Sequence, residues 1–223
     1  VLMAALVTLW GARLTFNFAR KGGYTGVEDY RWPILRARMR PWQYQVFNLL
    51  FIVGFQMTLL VLITLPAEVA LRHPEPLAGW DVLLAALFLA ALAGEAVADQ
   101  QQWSFHRRKR LAGGALQPGF QTEGLFRFSR HPNFFFELTQ WWLVYLFGVV
   151  AAVSAGAGFW GGGINASIAG ALLLTALFIG STNFTESISA SKYPAYADYR
   201  RSTSMLVPLP PRRTARAPRP AEA

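Results

Sequence analysis

Glu95 and Asp99 stand four residues apart near the end of a long apolar run. On a helix that spacing sets both carboxylates on one face, and Gln102 and His106 continue it. An ionisable side chain at a bilayer centre costs roughly 2.5–3.5 kcal/mol, so it turns to a cavity or a partner. Asp99 alone reads as the polar end of a helix, whereas Glu95, placed deeper, suits a functional role as well as a structural one. A second group is Gly124-Leu-Phe-Arg-Phe-Ser-Arg-His-Pro-Asn-Phe-Phe-Phe-Glu137. Pro132 is placed to start a helix, because its missing N–H would be unpaired there anyway. Asn133, Glu137 and Gln140 then line one face, with Arg127, Arg130 and His131 just before them. Donors and cations at a helix start suit a phosphate-bearing ligand. Arginines reaching lipid headgroups would explain the cations, but not Asn133 and Glu137. A third group is Glu186 followed by Lys192-Tyr-Pro-Ala-Tyr-Ala-Asp-Tyr-Arg-Arg-Ser-Thr. Its tyrosines at 193, 196 and 199 form a helical stripe, read either as an interfacial aromatic belt or as a stack for a cofactor ring.

These groups are carried by five segments long enough to cross a hydrocarbon core, which takes roughly 20 apolar residues as helix. They run over 1–18, interrupted by Arg13, over 43–65, over 80–98 with Glu95, over 134–153 with Glu137, and over 164–184. The residues are 53% hydrophobic and 15% charged, against about 25% charged in ordinary soluble domains. The expected fold is therefore all-α, a polytopic transmembrane helix bundle of about five crossings plus cytoplasmic loops and a C-terminal segment. Residues 134–153 carry a second possibility, an entry and return on one side of the bilayer. The membrane domain spans 1–208, and 209–223 is read as a disordered basic Pro/Arg tail, since proline and arginine at that density cannot form a core. The first segment lacks the basic leader and cleavage site of a signal peptide, and a start on Val-Leu-Met is read as the interior of a longer protein or a trimmed end.

Charge distribution sets the orientation. Lysines and arginines gather in 20–42, in 99–136 and from Lys192 onward, while the two other connections hold only Arg72. By the positive-inside rule this places the C-terminus and the polar loops in the cytoplasm. The net charge of +9 is thus a topology signal, and no nucleic-acid partner is expected. The absence of cysteine excludes disulfides and thiolate metal sites. His73, His106 and His131 show no ligand spacing, so no metal is expected. The glycines at 156, 158 and 161–163 read as a short outer turn, with no Lys-Ser/Thr to make a phosphate loop.

The 124–137 run, preceded by Glu95-xxx-Asp99 and followed by Lys-Tyr-x-x-Tyr-x-x-Tyr-x-x-x-Thr…Pro, resembles the steroid 5-alpha-reductase superfamily. Its bacterial branch of membrane reductase-like proteins is the nearest match, and Trp10-Gly-Ala-Arg13 and Glu28-Asp-Tyr-Arg31 resemble that branch too. The likeness covers most of 1–208. It implies a helix bundle in the bacterial inner membrane holding NADPH in a pocket open to the cytoplasm and reducing a carbon–carbon double bond conjugated to a ketone. The substrate it implies is a steroid-like or other lipid enone. Carried over by motif, Asp99, Asn133 and Glu137 contact the cofactor. Glu95, Arg13, Arg127, Arg130 and His131 neighbour it, the cations neutralising its phosphates, and Glu186 and Tyr193 close the pocket. No proton donor is identified. The family's Gln-Glu pair would lie before Val1, and Trp10 stands where a Tyr is expected. Two other readings remain. Arg-His-Pro at a helix start also occurs in S-adenosylmethionine-dependent membrane methyltransferases of the isoprenylcysteine or phospholipid type, although those carry a terminal Glu-Glu pair where this chain has Thr185-Glu186. The third reading is a non-catalytic membrane scaffold. The sequence does not name an oligomeric state.

Overall fold

The computed structural model describes residues 1–212. The expected all-α fold is what forms, with seven helices among the described residues: α1 (Leu2–Arg20), α2 (Arg31–Ala37), α3 (Pro41–Arg72), α4 (Gly79–Leu111), α5 (Pro132–Ser154), α6 (Ile168–Lys192) and α7 (Tyr196–Ser202). The described residues contain no β-strand, only the isolated bridges Ser129–Ser204 and Trp160–Ile164. Helices α1, α3, α4, α5 and α6 are each long and apolar enough to span a membrane. The shortest has 19 residues, about 28 Å at 1.5 Å per residue. All five expected segments are therefore helices long and apolar enough to cross, the pattern of an integral membrane protein. Helix α5 begins at Pro132 as its missing N–H dictates. It runs unbroken for 23 residues, so the entry-and-return alternative for 134–153 does not hold.

The helices differ from the apolar runs mainly at their ends. Helix α4 continues past Asp99 to Leu111, because good helix formers follow and the next breakers are Gly113 and Gly114, both at positive φ. Helix α6 starts at Ile168 and not at Ile164. Asn165 Oδ1 accepts the Ser167 backbone N–H at 3.0 Å and the Ser167 hydroxyl at 2.6 Å, holding that turn out of the helix.

The chain divides into two compact units. The first comprises Val1–Ala96 and Phe136–Ser181. Leu59, Ile63, Phe88, Trp141, Val144 and Phe147 are buried in it. Glycine permits two backbone approaches there. A Cβ on Gly170 would lie 2.6 Å from the Leu62 carbonyl, and one on Gly148 would lie 2.9 Å from that of Pro66. Leu49, Leu50, Val53, Leu60 and Val61 of α3 are exposed, which suits lipid and not water. Residues Asn48–Gln56 of α3 wind with i→i+5 bonding. Phe47, Phe51 and Phe55 stack there, with ring centroids 5.1 and 5.7 Å apart.

The second unit comprises Val97–Phe135 and the described part of Thr182–Ala223. Phe105, Phe126, Tyr196 and Tyr199 are buried in it. Its loop before α5 zips onto the segment after α7. Arg130 N donates to Ser204 O (2.8 Å), His131 N to Met205 O (3.1 Å) and Leu209 N to Phe128 O (3.0 Å). The Ser129 hydroxyl donates to Leu206 O at 2.6 Å, and Arg212 N to Ser202 O at 2.8 Å. Of the expected 209–223 tail, residues 213–223 lie outside the described residues.

Candidate functional site

Three membrane-spanning helices of the first unit bring ionisable and amide side chains together. Helix α1 supplies Trp10 and Arg13, α4 supplies Glu95, and α5 supplies Glu137 and Gln140. Arg13 forms an ion pair with Glu95 and lies 3.9 Å from Glu137 Oε2. Trp10 Nε1 donates to Glu137 Oε1 at 3.2 Å, while the indole packs edge-on against Trp141 at 4.9 Å. Gln140 Nε2 donates to Glu95 Oε2 at 2.7 Å and to the Phe136 carbonyl at 3.2 Å. Glu95 and Gln140 are each 1% exposed. The Gln140 Oε1 atom has no hydrogen-bond partner, and reversing the amide would set its oxygen against a carboxylate and a carbonyl. Phe136 fills the space beside Gly94, where a Cβ would lie 2.6 Å from its ring.

Two carboxylates and one guanidinium make this a poor place for phosphate. Arg13 is held by acids, an arrangement that repels an anion, so the expectation that it neutralises a cofactor phosphate is not supported by its surroundings. What the cluster can do is grip an uncharged polar group. Its guanidinium and indole N–H are donors, its carboxylates are acceptors, and Gln140 Oε1 remains for a further donor.

The second unit gathers the other expected residues. Glu186 is buried and takes Arg130 in a fork, Nε to Oε1 at 2.6 Å and the second nitrogen to Oε2 at 3.1 Å. His131 Nε2 lies 3.1 Å from Oε1, and Arg200 Nε lies 3.3 Å from Oε2. The remaining Arg130 nitrogen donates to the Arg200 carbonyl (3.1 Å) and to that of Thr203. Arg130 is thereby committed to Glu186 and to the C-terminal segment, so its surroundings give it a structural task in place of phosphate neutralisation. The His131 ring stacks on Phe134 at 5.6 Å. Asp99 is buried, and Arg127 is exposed. Asn133 is half-buried in the first turn of α5, and no hydrogen bond to another described residue engages its side chain.

The tyrosine stripe divides. Tyr196 and Tyr199 are buried against Phe120, with centroids at 5.0 and 5.4 Å. They are core, neither a lipid belt nor a cofactor platform. The Tyr199 hydroxyl donates to the Phe126 carbonyl at 2.5 Å, and burial raises its pKa above the ordinary phenol value. Tyr193 is only half-buried. Lys109 Nζ donates to its hydroxyl and to the Gly119 carbonyl, each at 2.6 Å. Burial alone would raise the Tyr193 pKa, but Lys109 and Lys192 outweigh it and hold the phenol below its ordinary value. Gly119, at φ +88°, makes room for this ring, since a Cβ there would lie 2.4 Å from Tyr193 Cε1.

Sequence reasoning missed Gln140 as a partner of Glu95, and it missed Lys109 and Gly119 altogether. The signal for Gln140 was its place on the Asn133–Glu137 face. Lys109 was hidden in the run Arg107-Arg108-Lys109-Arg110, which reads as a topology signal.

Among known proteins, an uncharacterised protein of Schizosaccharomyces pombe is 37% identical over 224 residues. The match takes in 93% of this chain but 63% of that relative, so the chain spans less than two thirds of the relative's length. No solved structure matches. A family profile matches residues 1–203, and the chain belongs to that family, described as protein of unknown function (DUF1295).

Proposed function

We propose that this chain is a membrane-embedded, NADPH-dependent reductase of a conjugated carbon–carbon double bond in a lipid enone, a chemical relative of the steroid 5-alpha-reductases its motifs resemble. The observation that carries the proposal is the Trp10–Arg13–Glu95–Glu137–Gln140 cluster inside three spanning helices. Polar groups cost too much in hydrocarbon to be kept there without a partner or a task. Here one polar atom, Gln140 Oε1, still lacks a partner.

The chemistry of the donor set fits a phosphate-bearing cofactor in the second unit, where cations outnumber carboxylates among the described residues. Arg127, Lys109 and Asn133 would be the residues to hold it, and Lys109 bonds the Tyr193 hydroxyl at 2.6 Å. Bound there, NADPH would supply a hydride for the electron-poor β-carbon of an enone. In the first unit, the Arg13 guanidinium with the acceptors Glu95, Glu137 and Gln140 Oε1 can hold an uncharged polar group. The Glu95–Gln140 bond fixes the orientation of both side chains, and the apolar walls of the first unit exclude water. The concentration of lysine and arginine supports placing the second unit on the cytoplasmic side of a bacterial inner membrane.

The test is calorimetric titration of the detergent-purified chain with NADPH and with S-adenosylmethionine, alongside an Asn133→Ala variant. Micromolar NADPH affinity that weakens in the variant supports the reductase. Binding of S-adenosylmethionine alone replaces hydride transfer with methyl transfer. Binding of neither by the folded protein leaves a non-catalytic scaffold.

A further inference from the structure

The turn between α5 and α6 presents two large aromatic rings outward. Phe159 and Trp160 are 66% and 78% exposed and pack edge-on, with ring centroids 5.1 Å apart. The backbone that carries them is fixed. Ile164 N donates to Phe159 O at 2.8 Å and Gly161 N to Ile164 O at 2.9 Å. Gly161, at φ +94°, takes the left-handed conformation that closes the turn. The buried Tyr145 of α5 pins it, its hydroxyl donating to Gly163 O at 2.8 Å, and Asn165 Nδ2 donates to Gly162 O at 3.0 Å. The rings are therefore held out by a hydrogen-bonded turn, and water is a poor environment for both. No charged residue stands between Glu137 and Glu186, so the turn offers an ionic partner nothing to grip. Val153 near the end of α5 and Leu172 and Leu173 early in α6 are exposed as well. The turn thus continues the apolar surface that these spanning helices present.

We propose that Phe159 and Trp160 form an anchor that seats the α5–α6 turn in the headgroup–acyl boundary of the bilayer leaflet at the Ser154 end of α5, whatever the headgroup charge. An indole carries an apolar ring and one N–H donor, which suits a boundary where hydrocarbon meets ester and phosphate oxygens. Area argues against a protein partner. Together the two rings can bury about 300–500 Å², below the roughly 800 Å² per partner of a stable protein interface. With no charge in the turn, attachment rests on apolar burial and not on attraction to anionic lipid. The anchor stands whether or not the reductase reading holds.

The chain has no cysteine, so Phe159→Cys carries a nitroxide label at one place and leaves Trp160 intact. The full-length labelled chain is placed in nanodiscs of zwitterionic lipid. Electron paramagnetic resonance then measures collisions of the label with oxygen, which concentrates in the bilayer, and with a water-soluble nickel chelate. The ratio of oxygen to nickel collisions is expected to exceed severalfold that of the same label free in water. Replacing half the lipid with phosphatidylglycerol should leave the ratio unchanged. Adding Trp160→Ser should lower it toward the aqueous value, whereas Trp160→Tyr, which keeps a ring with a polar tip, should hold it. An aqueous ratio in the labelled parent overturns the anchor. So does a label shielded from both reagents, since a second copy or another protein would then cover the turn. A ratio raised only by phosphatidylglycerol overturns attachment by apolar burial, and a ratio indifferent to Trp160→Ser overturns the assignment to that ring.

Discussion

Replacing Arg130 with methionine removes the guanidinium that ties Glu186 to the C-terminal segment while keeping an unbranched side chain in its place. The Arg130 and Glu186 side chains are 8% and 2% exposed, so the pair lies where water cannot compensate either charge. Stripping one partner from a buried pair costs roughly 3–5 kcal/mol. His131 and Arg200 remain at 3.1 and 3.3 Å from Glu186 and soften that loss. The carbonyls of Arg200 and Thr203 lose a donor as well, which adds to it. A net cost of about 3 kcal/mol follows, the lower end of the range. For a chain of this size that is a fall of roughly 6–12 °C in the unfolding midpoint. Differential scanning fluorimetry in detergent measures it, and hydrogen exchange locates it. The Ser204 and Met205 segment, which receives the Arg130 and His131 amides, should lose protection before α5 does. Arg130→Met/Glu186→Met should recover most of the loss, since two apolar residues leave no charge stranded. An unchanged midpoint and unchanged exchange at 203–209 would refute the reasoning, because they would mean that the fork carries no net energy and that the backbone zipper stands alone.

Three further outcomes are expected. Trp10→Phe keeps the edge-on packing against Trp141 but deletes the donor to Glu137 Oε1. It should cost about 1–2 kcal/mol in the same unfolding assay, and no change would show the bond to be dispensable. The tyrosines should titrate in opposite senses. Tyr193 ionises below the ordinary phenol pKa of about 10 because the Lys109 and Lys192 ammoniums outweigh its burial, and buried Tyr199 ionises above it. A depressed folded pKa adds stability only as the phenolate forms, so the Tyr193 contribution grows from its folded pKa up to about 10 and is lost again as pH falls. A raised folded pKa works the other way, so Tyr199 leaves stability unchanged below about pH 10 and lowers it beyond that. Gly119→Ala, which pushes the Tyr193 ring aside, should move the low-pH component of the absorbance titration back toward 10; persistence of that component would sink the packing argument.

How far the sequence could be read depended on whether a feature is local. The five crossings follow from runs of apolar residues, and the start of α5 follows from one proline, so both were legible. Helix ends were less so, because α4 continues past its apolar run on helix propensity alone and Asn165 delays α6 through a side-chain turn that composition does not reveal. In the site, Glu95 and Glu137 were recognisable as carboxylates inside membrane segments, and the pattern correctly marked them as needing partners. Which partners they take is a long-range fact. Arg13 and Trp10 reach them across more than eighty residues of chain, and Gln140 reaches Glu95 across forty-five. The arginines were hard to tell apart for a related reason. Arg130 and Arg127 look alike beside His-Pro, yet Arg130 is consumed by Glu186 and by the carbonyls of a segment about seventy residues later, while Arg127 stays exposed. A cation's availability depends on what the fold brings to it, not on its neighbours in the chain. The same logic explains why Lys109, one of four adjacent cations, became informative only through its bond to Tyr193: a charge run states where a surface is positive, and only the fold states what each cation is bonded to.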